Sequence, residues 1–200
     1  VRYFNSAYLI SPLTKHMSKY DKTHLVPFGE YVPLKKWLPF LGKIVAQVGD
    51  FKAGREGQTL LWKTEQVGVQ ICYEIIFPRL SRAMAKNDAS LLINITNDAW
   101  FGKTSGPYQH FSMTVFRAVE NRRALVRSAN TGISGFIDPA GRVLDSTPLL
   151  QDAVLARSIP LLKTKTVYTR IGDLFAQLCF ASALIVGLLE IFKFALKFRK

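Results

Sequence analysis

Four short stretches of the sequence concentrate the side chains that could carry out covalent chemistry. They are KTHLVPFGEYVP at residues 22–33, CYE at 72–74, NDAWFG at 97–102 and RAVENRR at 117–123. A cysteine thiol of pKa about 8.5 is mostly protonated at neutral pH, so an acyl-transfer cysteine needs a base to take its proton and a cation to favour the thiolate and the oxyanion. A glutamate and a lysine, both present in these stretches, can fill those two roles.

Cys72 is the candidate nucleophile. The residues before it in GVQICYEIIFP alternate between apolar and small or polar side chains, which predicts a strand over 67–72 that ends in the cysteine, with the thiol facing away from the apolar set. A free cysteine is more often an inert buried side chain than a catalyst, and the pattern alone leaves both alternatives open. The other cysteine, Cys179, lies inside an apolar run.

The other reactive side chains each have an ordinary structural explanation when taken singly. Lys22 is typical of a solvated lysine, Glu30 of a turn carboxylate and Asp98 of a helix or turn cap. Glu120 is typical of an ion-pair partner for the arginines beside it. Trp100 stands between ND and FG in a loop after an apolar strand, which is an unusual place for a residue that only packs.

The composition fits one packed globular unit with a basic surface. The 200 residues are 48% hydrophobic and carry a formal net charge of +13. This charge favours an anionic neighbour, either nucleic acid, a phospholipid surface or an acidic substrate. No RRM, KH, zinc-finger or helix-turn-helix signature accompanies it, so we do not expect nucleic acid. The two cysteines are too few for a disulfide framework and too far from any histidine cluster to suggest zinc. We expect no metal site and no cofactor.

Residues 174–192, LFAQLCFASALIVGLLEIF, form a long apolar stretch near the end of the chain. As a helix it rises about 28 Å, close to the roughly 30 Å of bilayer hydrocarbon. The stretch predicts a transmembrane helix, with residues 171–200 as the helix and its basic tail; a buried or interfacial amphipathic helix is the alternative. Basic residues flank both ends, so the charge rule gives only a weak preference for a cytoplasmic C-terminus.

Residues 34–48, LKKWLPFLGKIVAQV, combine lysines with aromatic and aliphatic side chains around a proline and a glycine. Such a segment either dips an apolar edge into a lipid interface or packs its aromatic residues on the domain.

Residues 1–170 are predicted to form one α/β unit. The pattern predicts strands near 3–10, 67–72, 90–95, 124–129, 133–137 and 142–145, and helices near 78–87 and 107–123. DPAG at 138–141 and NTG at 130–132 are turn sequences between the last strands. The second helix is expected to lie on the sheet by one apolar face and to expose a charged one. The apolar face is Phe111, Val115 and Val119, and the charged face is Arg117, Glu120 and Arg123.

These motifs, in this order, resemble the nitrilase or carbon-nitrogen hydrolase superfamily. KTHLVPFGEYVPL, followed fifty residues later by GVQICYEIIFP, is similar to the lysine and cysteine elements of that superfamily. More closely, LVPFGEYVPL, CYE, NITNDAWFG and RAVENRRALVRSANTGISGFIDPAGRV resemble the apolipoprotein N-acyltransferase family. The likeness runs from about residue 3 to the final apolar helix.

The resemblance implies a fold and a place in the cell. The fold is the nitrilase-like α-β-β-α sandwich, present here in part, with residues 1–170 as a catalytic domain that lacks its N-terminal part and a transmembrane helix after it. The domain is expected to face the periplasm from the bacterial inner membrane.

The resemblance also implies site residues and a reaction. Cys72 matches the nucleophile and Lys22 the catalytic lysine. The supporting active-site positions are Glu30, Tyr73 and Glu74, and the substrate-binding candidates are Asn97, Asp98 and Trp100. Cys72 is expected to take an acyl chain from a phospholipid, usually phosphatidylethanolamine, as a thioester and to pass it to the N-terminal amine of a diacylglyceryl apolipoprotein. The Tyr73 backbone N–H and the Lys22 ammonium are the candidates for holding the oxyanion.

The family's general-base glutamate, which stands well before its lysine, has no counterpart in the sequence. Among the residues before Lys22 only Asp21 is acidic. We therefore expect the base to lie upstream of residue 1, and these 200 residues alone to be inactive. Two other functions stay open: an amidase or nitrilase for a soluble substrate, which does not normally need a spanning helix, and a non-catalytic truncated remnant in a membrane.

Overall fold

The structure of the chain, a computed structural model, describes residues 2–12, 15, 17–33 and 50–197. The lysine-rich and aromatic segment 34–48 lies outside the described residues. The two alternatives for it, contact with a lipid interface and packing on the domain, therefore both stay predictions.

Within the described residues the strands form one two-stranded and one six-stranded sheet. Strands β1 (Ser6–Ile10) and β2 (Met17–Asp21) pair antiparallel. The larger sheet contains, in chain order and in spatial order, β3 (Leu60–Trp62), β4 (Glu65–Ile71), β5 (Ala89–Thr96), β6 (Ala124–Ala129), β7 (Gly135–Ile137) and β8 (Val143–Ser146). The two-stranded sheet contacts β3 and β4 of the larger sheet.

The three central strands of the larger sheet place the site. Strands β4, β5 and β6 are parallel, whereas β3, β7 and β8 are antiparallel to their neighbours. Carboxyl ends of parallel strands meet at one edge of a sheet, where ligands commonly bind in α/β folds. Cys72 follows β4 directly and Asn97 follows β5, so two of the predicted site stretches meet at this edge.

Strand β4 differs from the alternating strand that the sequence predicts. All five residues from Val67 to Ile71 are buried, including Gly68 and Gln70. A parallel strand inside a sheet is covered on both faces, so both sets of side chains lose contact with water. The strand also ends one residue early, because Cys72 is the first residue of a 3-10 helix, Cys72–Ile76.

Helices cover the sheet and lead out of it. They are α1 (Pro78–Lys86), α2 (Gly106–Asn121), α3 (Val167–Ile171) and α4 (Leu174–Lys197), with a second 3-10 helix at Ala99–Phe101. Helices α1 and α2 contact each other; α1 also contacts β4 and β5, and α2 contacts β6 and β7. The helices and the two-stranded sheet both contact the larger sheet, in keeping with the expected nitrilase-like fold.

The predicted division of α2 into an apolar and a charged face is wrong in part. Val119 is 43% exposed, whereas Arg117 is only 4% exposed. The Arg117 guanidinium is buried because it donates to the carbonyl oxygens of Ile75 and Ile76, at the end of the 3-10 helix that begins with Cys72. It also pairs with Glu120 at 2.7 Å, as the spacing predicts. Arg117 thus stabilises the turn that carries the cysteine.

Helix α2 also ends earlier than predicted, at Asn121. The following residue, Arg122, has a left-handed conformation with φ 51°, which terminates the helix. Arg123, expected on the charged face of the helix, is instead fully buried. Its guanidinium donates to the carbonyl oxygens of Ala89 and Thr164, so it joins the start of β5 to the segment that leads towards α3.

The two predicted turns are present. In DPAG the Asp138 N–H donates to the Arg142 carbonyl at 3.0 Å, and Gly141 has φ 84°, a conformation that favours glycine. NTG at 130–132 connects β6 to β7. Strands β2 and β3 and helix α3, each of three to five residues, were not predicted.

Helix α4 begins at Leu174, as predicted, and extends to Lys197. Its segment Leu174–Phe194 has a mean hydropathy of 2.1 and is long and apolar enough to cross a membrane. The side chains of this segment are exposed, so α4 is not a core helix of the α/β part.

Candidate active site

Cys72 occupies a strained position at the carboxyl end of β4. Its φ is 54°, in the left-handed region that non-glycine residues rarely adopt. Among the described residues six other non-glycine residues share a positive φ, so the strain alone does not identify a site. What distinguishes Cys72 is that it is half-buried and lines a large cavity.

Lys22 also lines this cavity and lies directly after β2. Its backbone N–H donates to the Asn5 carbonyl and its own carbonyl accepts from Gly54 N–H, both at 2.8 Å, so the main chain is held on two sides. The side chain is 2% exposed, and Nζ lies 2.8 Å from Glu30 Oε2. A buried ammonium requires a charged partner, and Glu30 supplies it.

The Glu30 carboxylate accepts hydrogen bonds from two more donors besides Lys22. Asn5 Nδ2 donates to Oε1, and Val26 N–H donates to Oε2, each at 2.8 Å. Burial by itself would raise the pKa of Glu30, but the hydrogen bonds from Lys22, Val26 and Asn5 outweigh it and lower the pKa below its ordinary value. Glu30 is therefore a stable carboxylate and a weak proton acceptor.

Glu74 joins the lysine segment to the cysteine turn. Its Oε1 accepts from the backbone N–H groups of Thr23 and His24, and Oε2 accepts from Ile71 N–H. The Tyr20 hydroxyl lies 2.9 Å from both oxygens. Burial raises the pKa of Glu74 in spite of these donors. The fully buried carboxylate thus fixes the residues after Lys22 against the residue before Cys72.

The cavity between these elements has a volume of about 780 Å³. Six of the eight predicted site residues line it: Lys22, Glu30, Cys72, Tyr73, Asn97 and Trp100. The apolar lining includes Val26, Ile71, Ile95 and Phe101. A volume of this size is typical of small-molecule sites, and an apolar lining with few polar groups suits a lipid chain.

Two predicted site residues lie outside the lining, Glu74 and Asp98. The first is the buried link described above. Asp98 is 1% exposed, and its Oδ2 accepts from Arg127 Nη2 at 2.7 Å. Its Oδ1 lies 2.9 Å from His110 Nδ1. Burial opposes ionisation, but these partners lower the pKa of Asp98 below its ordinary value. Direct contact of Asp98 with a substrate stays a prediction, and so do the chemical roles of the other site residues.

Sequence reasoning missed several polar residues beside the cavity. Asn5 lines it and binds Glu30, and Asn94 and Arg127 lie beneath it in β5 and β6. Burial lowers the pKa of Arg127, while Asp98 acts in the opposite direction. The available signal was a charged or amide side chain inside an otherwise apolar strand, since such groups are seldom buried without a specific partner.

The structure shows no contact through which His24 could act as a base for Cys72. Its ring packs on Phe77, with centroids 3.8 Å apart, and its backbone N–H binds Glu74. Burial, Arg79 and Lys22 lower the pKa of His24. Among the described residues no group of three or more histidine, cysteine or acidic side chains could hold a metal ion.

The arrangement provides a thiol, a buried ammonium and a backbone N–H in one apolar cavity. Tyr73 N–H lies in the first turn of the 3-10 helix, where backbone N–H groups have no partner within the helix. A thiol nucleophile beside such donors is the arrangement that acyl transfer uses.

Comparison with known sequences gives related proteins over almost the whole chain. Residues 1–168 match the carbon-nitrogen hydrolase family. The chain is 52% identical over 189 residues to an apolipoprotein N-acyltransferase of Geobacter metallireducens, covering 94% of this chain and 36% of that protein. It is 44% identical over 154 residues to the apolipoprotein N-acyltransferase of Bdellovibrio bacteriovorus, covering 74% and 28%. The chain spans about a third of the length of these relatives.

Solved structures share the fold. A carbon-nitrogen hydrolase from Helicobacter pylori G27 superposes with a TM-score of 0.54 at 17% identity, covering 73% of this chain and 53% of that one. An amidase from Nesterenkonia sp. AN1, in a mutant form that shows Michael addition of acrylamide at the active-site cysteine, superposes with a TM-score of 0.50 at 25% identity, covering 72% and 52%.

Proposed function

The chain belongs to the carbon-nitrogen hydrolase family, and we propose that it is the C-terminal part of an apolipoprotein N-acyltransferase. The observation that carries the proposal is the apolar cavity that Cys72 and Lys22 both line, in a chain that continues into an exposed apolar helix. Relatives of 52% and 44% identity bear that name, over 94% and 74% of this chain.

The first step forms a thioester. The Cys72 thiolate attacks the carbonyl carbon of a phospholipid acyl ester, and a tetrahedral oxyanion results. The ester C–O bond then breaks, the lysophospholipid leaves as an alcohol after it takes up the proton that the thiol released, and the acyl chain stays on Sγ. Phosphatidylethanolamine is the proposed donor, and the apolar walls beside Ile71 and Ile95 accommodate its chain.

The second step transfers the chain to the acceptor. The N-terminal α-amine of a diacylglyceryl-cysteine attacks the thioester carbonyl, the C–S bond breaks and an amide forms. The general base takes one proton from the amine and returns it to the released Cys72 thiolate, which restores the starting state. One cavity serves both substrates in turn, because the first product leaves before the second substrate enters.

The side chains around Cys72 have distinct proposed roles. The Lys22 ammonium and the Tyr73 backbone N–H hold the oxyanion. Glu30 holds the Lys22 side chain in place through the 2.8 Å ion pair. Glu74 keeps the lysine segment and the cysteine turn in register through its backbone contacts. Asn97 and Trp100, at the cavity wall, are the proposed substrate contacts.

We place the general base in a part of the full-length protein outside these 200 residues. Glu30 is the one carboxylate that lines the cavity within the described residues, and its hydrogen bonds make it a weak base. Glu74 is buried and accepts four donors. Since neither carboxylate is suited to accept the thiol proton, we expect the 200-residue polypeptide to form no product by itself.

We also propose the arrangement of the protein at the membrane. Residues 1–170 form the catalytic domain on the periplasmic side of the inner membrane, and residues 171–200 form a transmembrane helix with a basic cytoplasmic tail. The span Leu174–Phe194 is about 32 Å long as a helix, enough for the roughly 30 Å of hydrocarbon. The donor phospholipid and the lipid-bearing acceptor both reside in that membrane, so the helix brings the cavity to its substrates.

The test is the intact mass of the full-length protein, extracted from membranes in detergent and captured through a tag after Lys200. After incubation with phosphatidylethanolamine we expect one fatty acyl adduct on Cys72 that hydroxylamine removes and a diacylglyceryl peptide discharges. A Cys72→Ser variant serves as the matched control, because an oxygen ester resists the hydroxylamine treatment that cleaves a thioester.

Two outcomes would overturn the proposal. A full-length protein without an adduct on Cys72 would exclude the thioester step. Hydrolysis of a dialysable amide in the absence of lipid or detergent would instead favour a soluble-substrate amidase, the chemistry that the name of the Nesterenkonia enzyme describes.

A further inference from the structure

We infer that Asn94 is a positioning residue that holds Cys72 in its left-handed conformation, and that Arg127 fixes the orientation of the Asn94 amide. The inference rests on the proposed role of Cys72 as the nucleophile. Neither residue lines the cavity, so both act through the cysteine rather than on the substrate.

The Asn94 amide contacts the main chain at the end of β4. The residue is fully buried in β5, and its Nδ2 donates to the carbonyl oxygens of Gln70 at 3.1 Å and Cys72 at 3.3 Å. Strand pairing opposes Asn94 to Gln70, so the amide reaches past the last paired residues to the first residue of the 3-10 helix. The Cys72 carbonyl is thereby held at the point where the chain changes direction.

Arg127 fixes the orientation of the Asn94 side-chain amide. An amide side chain can present either its oxygen or its nitrogen to a neighbour, and only the hydrogen-bond partners distinguish the two orientations. Arg127 Nη1 donates to Asn94 Oδ1. Because a guanidinium has donors and no acceptor, the oxygen must face Arg127, and the NH₂ group must face Gln70 and Cys72.

The guanidinium is itself held on two further sides. Arg127 Nε donates to the Ile133 carbonyl at 3.1 Å, and Nη2 donates to Asp98 Oδ2 at 2.7 Å. Asp98 also accepts from Thr96 Oγ1 at 3.0 Å. The buried Arg127 guanidinium therefore joins β6, to which the residue belongs, to the segments that follow β5 and β6. Its remaining nitrogen, Nη1, is directed to Asn94.

A left-handed cysteine between a strand and a helix is a strained conformation that the surroundings must impose. The conformation matters for the chemistry, because the residue after Cys72 contributes the proposed oxyanion donor and both must face the same substrate atom. If the Cys72 carbonyl is released, the turn can relax, and the thiol and the Tyr73 N–H no longer converge.

The experiment measures single-turnover formation of the Cys72 thioester by full-length protein in detergent with saturating phosphatidylethanolamine. The amplitude reports the fraction of correctly folded sites, and the rate constant reports the geometry of each site. For Asn94→Leu, which is close in size and cannot donate, we expect a rate constant lower by about a hundredfold with little change in the KM for phospholipid. Asn121→Leu is the matched control, since Asn121 is equally buried but binds Arg117 and Thr169 at the far end of α2.

A second pair of variants tests the orientation step if Asn94→Leu does not fold. Arg127→Lys keeps one donor for the Asn94 oxygen, whereas Arg127→Met keeps none. We expect the lysine variant to form the thioester at least about tenfold faster than the methionine variant. Equal rate constants for the two variants, or a lower amplitude with an unchanged rate constant for Asn94→Leu, would overturn the inference. Wild-type protein that forms no thioester would overturn the proposed function itself, and the inference with it.

Discussion

Lys22 and Glu30 form an ion pair that is almost removed from water. The Nζ–Oε2 distance is 2.8 Å, and the two side chains are 2% and 14% exposed. The pair lies eight residues apart in sequence and is held from both ends, by main-chain bonds at Lys22 and by Asn5 and Val26 at Glu30. A cation fixed in this way keeps its place without reorganisation during the reaction, as transition-state stabilisation requires.

Glu30→Gln is expected to destabilise the protein and to reduce acyl transfer. The amide keeps the shape of the side chain but leaves the buried Lys22 ammonium without a charged partner, which costs about 1–3 kcal/mol. Thermal unfolding of the full-length protein in detergent measures the first effect, and the rate of thioester formation measures the second. Asp152→Asn, at an exposed carboxylate, is the control. Full activity of Glu30→Gln would remove the supporting role of this residue.

The stabilisation by Glu30 should also depend on pH. The pKa of Glu30 is lower in the folded protein than its ordinary value of 4.5, so its contribution is complete above that value and disappears as the pH falls through the folded-state pKa. The difference in Tm between wild type and Glu30→Gln is therefore expected to be constant from pH 7 to about pH 5 and to shrink in more acidic buffer. If this difference in Tm instead grows as the pH falls, the ionised carboxylate is not the form of Glu30 that stabilises the protein.

Glu74→Gln is expected to separate the lysine segment from the cysteine turn. The carboxylate accepts from three backbone N–H groups, and an amide NH₂ in place of one oxygen would oppose at least one of these donors. We expect a loss of about 1–3 kcal/mol in stability and a strong reduction of thioester formation. Glu56→Gln, at a half-exposed ion pair with Arg79, is the matched control and should have little effect. Normal turnover in Glu74→Gln would contradict the link.

Gly132→Ala tests the support of the buried aspartate. A Cβ on Gly132 would lie 2.3 Å from Asp98 Oδ2, so the loop between β6 and β7 or the carboxylate must move. We expect a stability loss of about 1–3 kcal/mol, measured by thermal unfolding, and slower acylation, because Asp98 holds Arg127. In Gly187→Ala, the control in α4, no described atom lies within 4 Å of the new Cβ. Equal Tm values for the two variants would show that the loop accommodates the methyl group.

The central part of the fold was predictable because its elements are long and their patterns agree. The apolar runs of β4, β5 and β6 and the helix after Pro78 are all close to their predicted bounds. Strand β2 was not predictable in the same way: MSKYD has one fully buried side chain, Tyr20, and the other residues are polar or exposed. Without β2 the sequence shows Lys22 only as a lysine in a loop, and its burial depends on contacts with Asn5 and Gly54 that no local pattern contains.

The candidate site likewise has one part that was predictable from the sequence and one part that was not. Cys72 and Glu74 are neighbours in sequence, so their proximity needed no structure, but Glu74 binds Thr23 and His24 from about fifty positions earlier. Arg127 was visible as a charged residue in an apolar strand. Its partner Asn94 follows from the parallel pairing of β5 with β6, which opposes these two residues directly, and strand register cannot be derived from composition or periodicity.

Trp100→Ala is expected to weaken the binding of the lipid donor without loss of stability. Trp100 lines the cavity and yet is 89% exposed, so the ring makes little contact with the described part of the protein and is the proposed contact for the acyl chain. Covering about a quarter of the side chain with lipid, roughly 55 Å², would correspond to a rise of about tenfold in the KM for phosphatidylethanolamine when the ring is removed. Trp62→Ala is the control, because Trp62 is 42% exposed on the edge strand β3 and does not line the cavity. An unchanged KM in Trp100→Ala, or an equal rise in both variants, would show that Trp100 does not contact the donor. A rise confined to Trp100→Ala, with an unchanged Tm, would place the entry of the acyl chain at the end of β5.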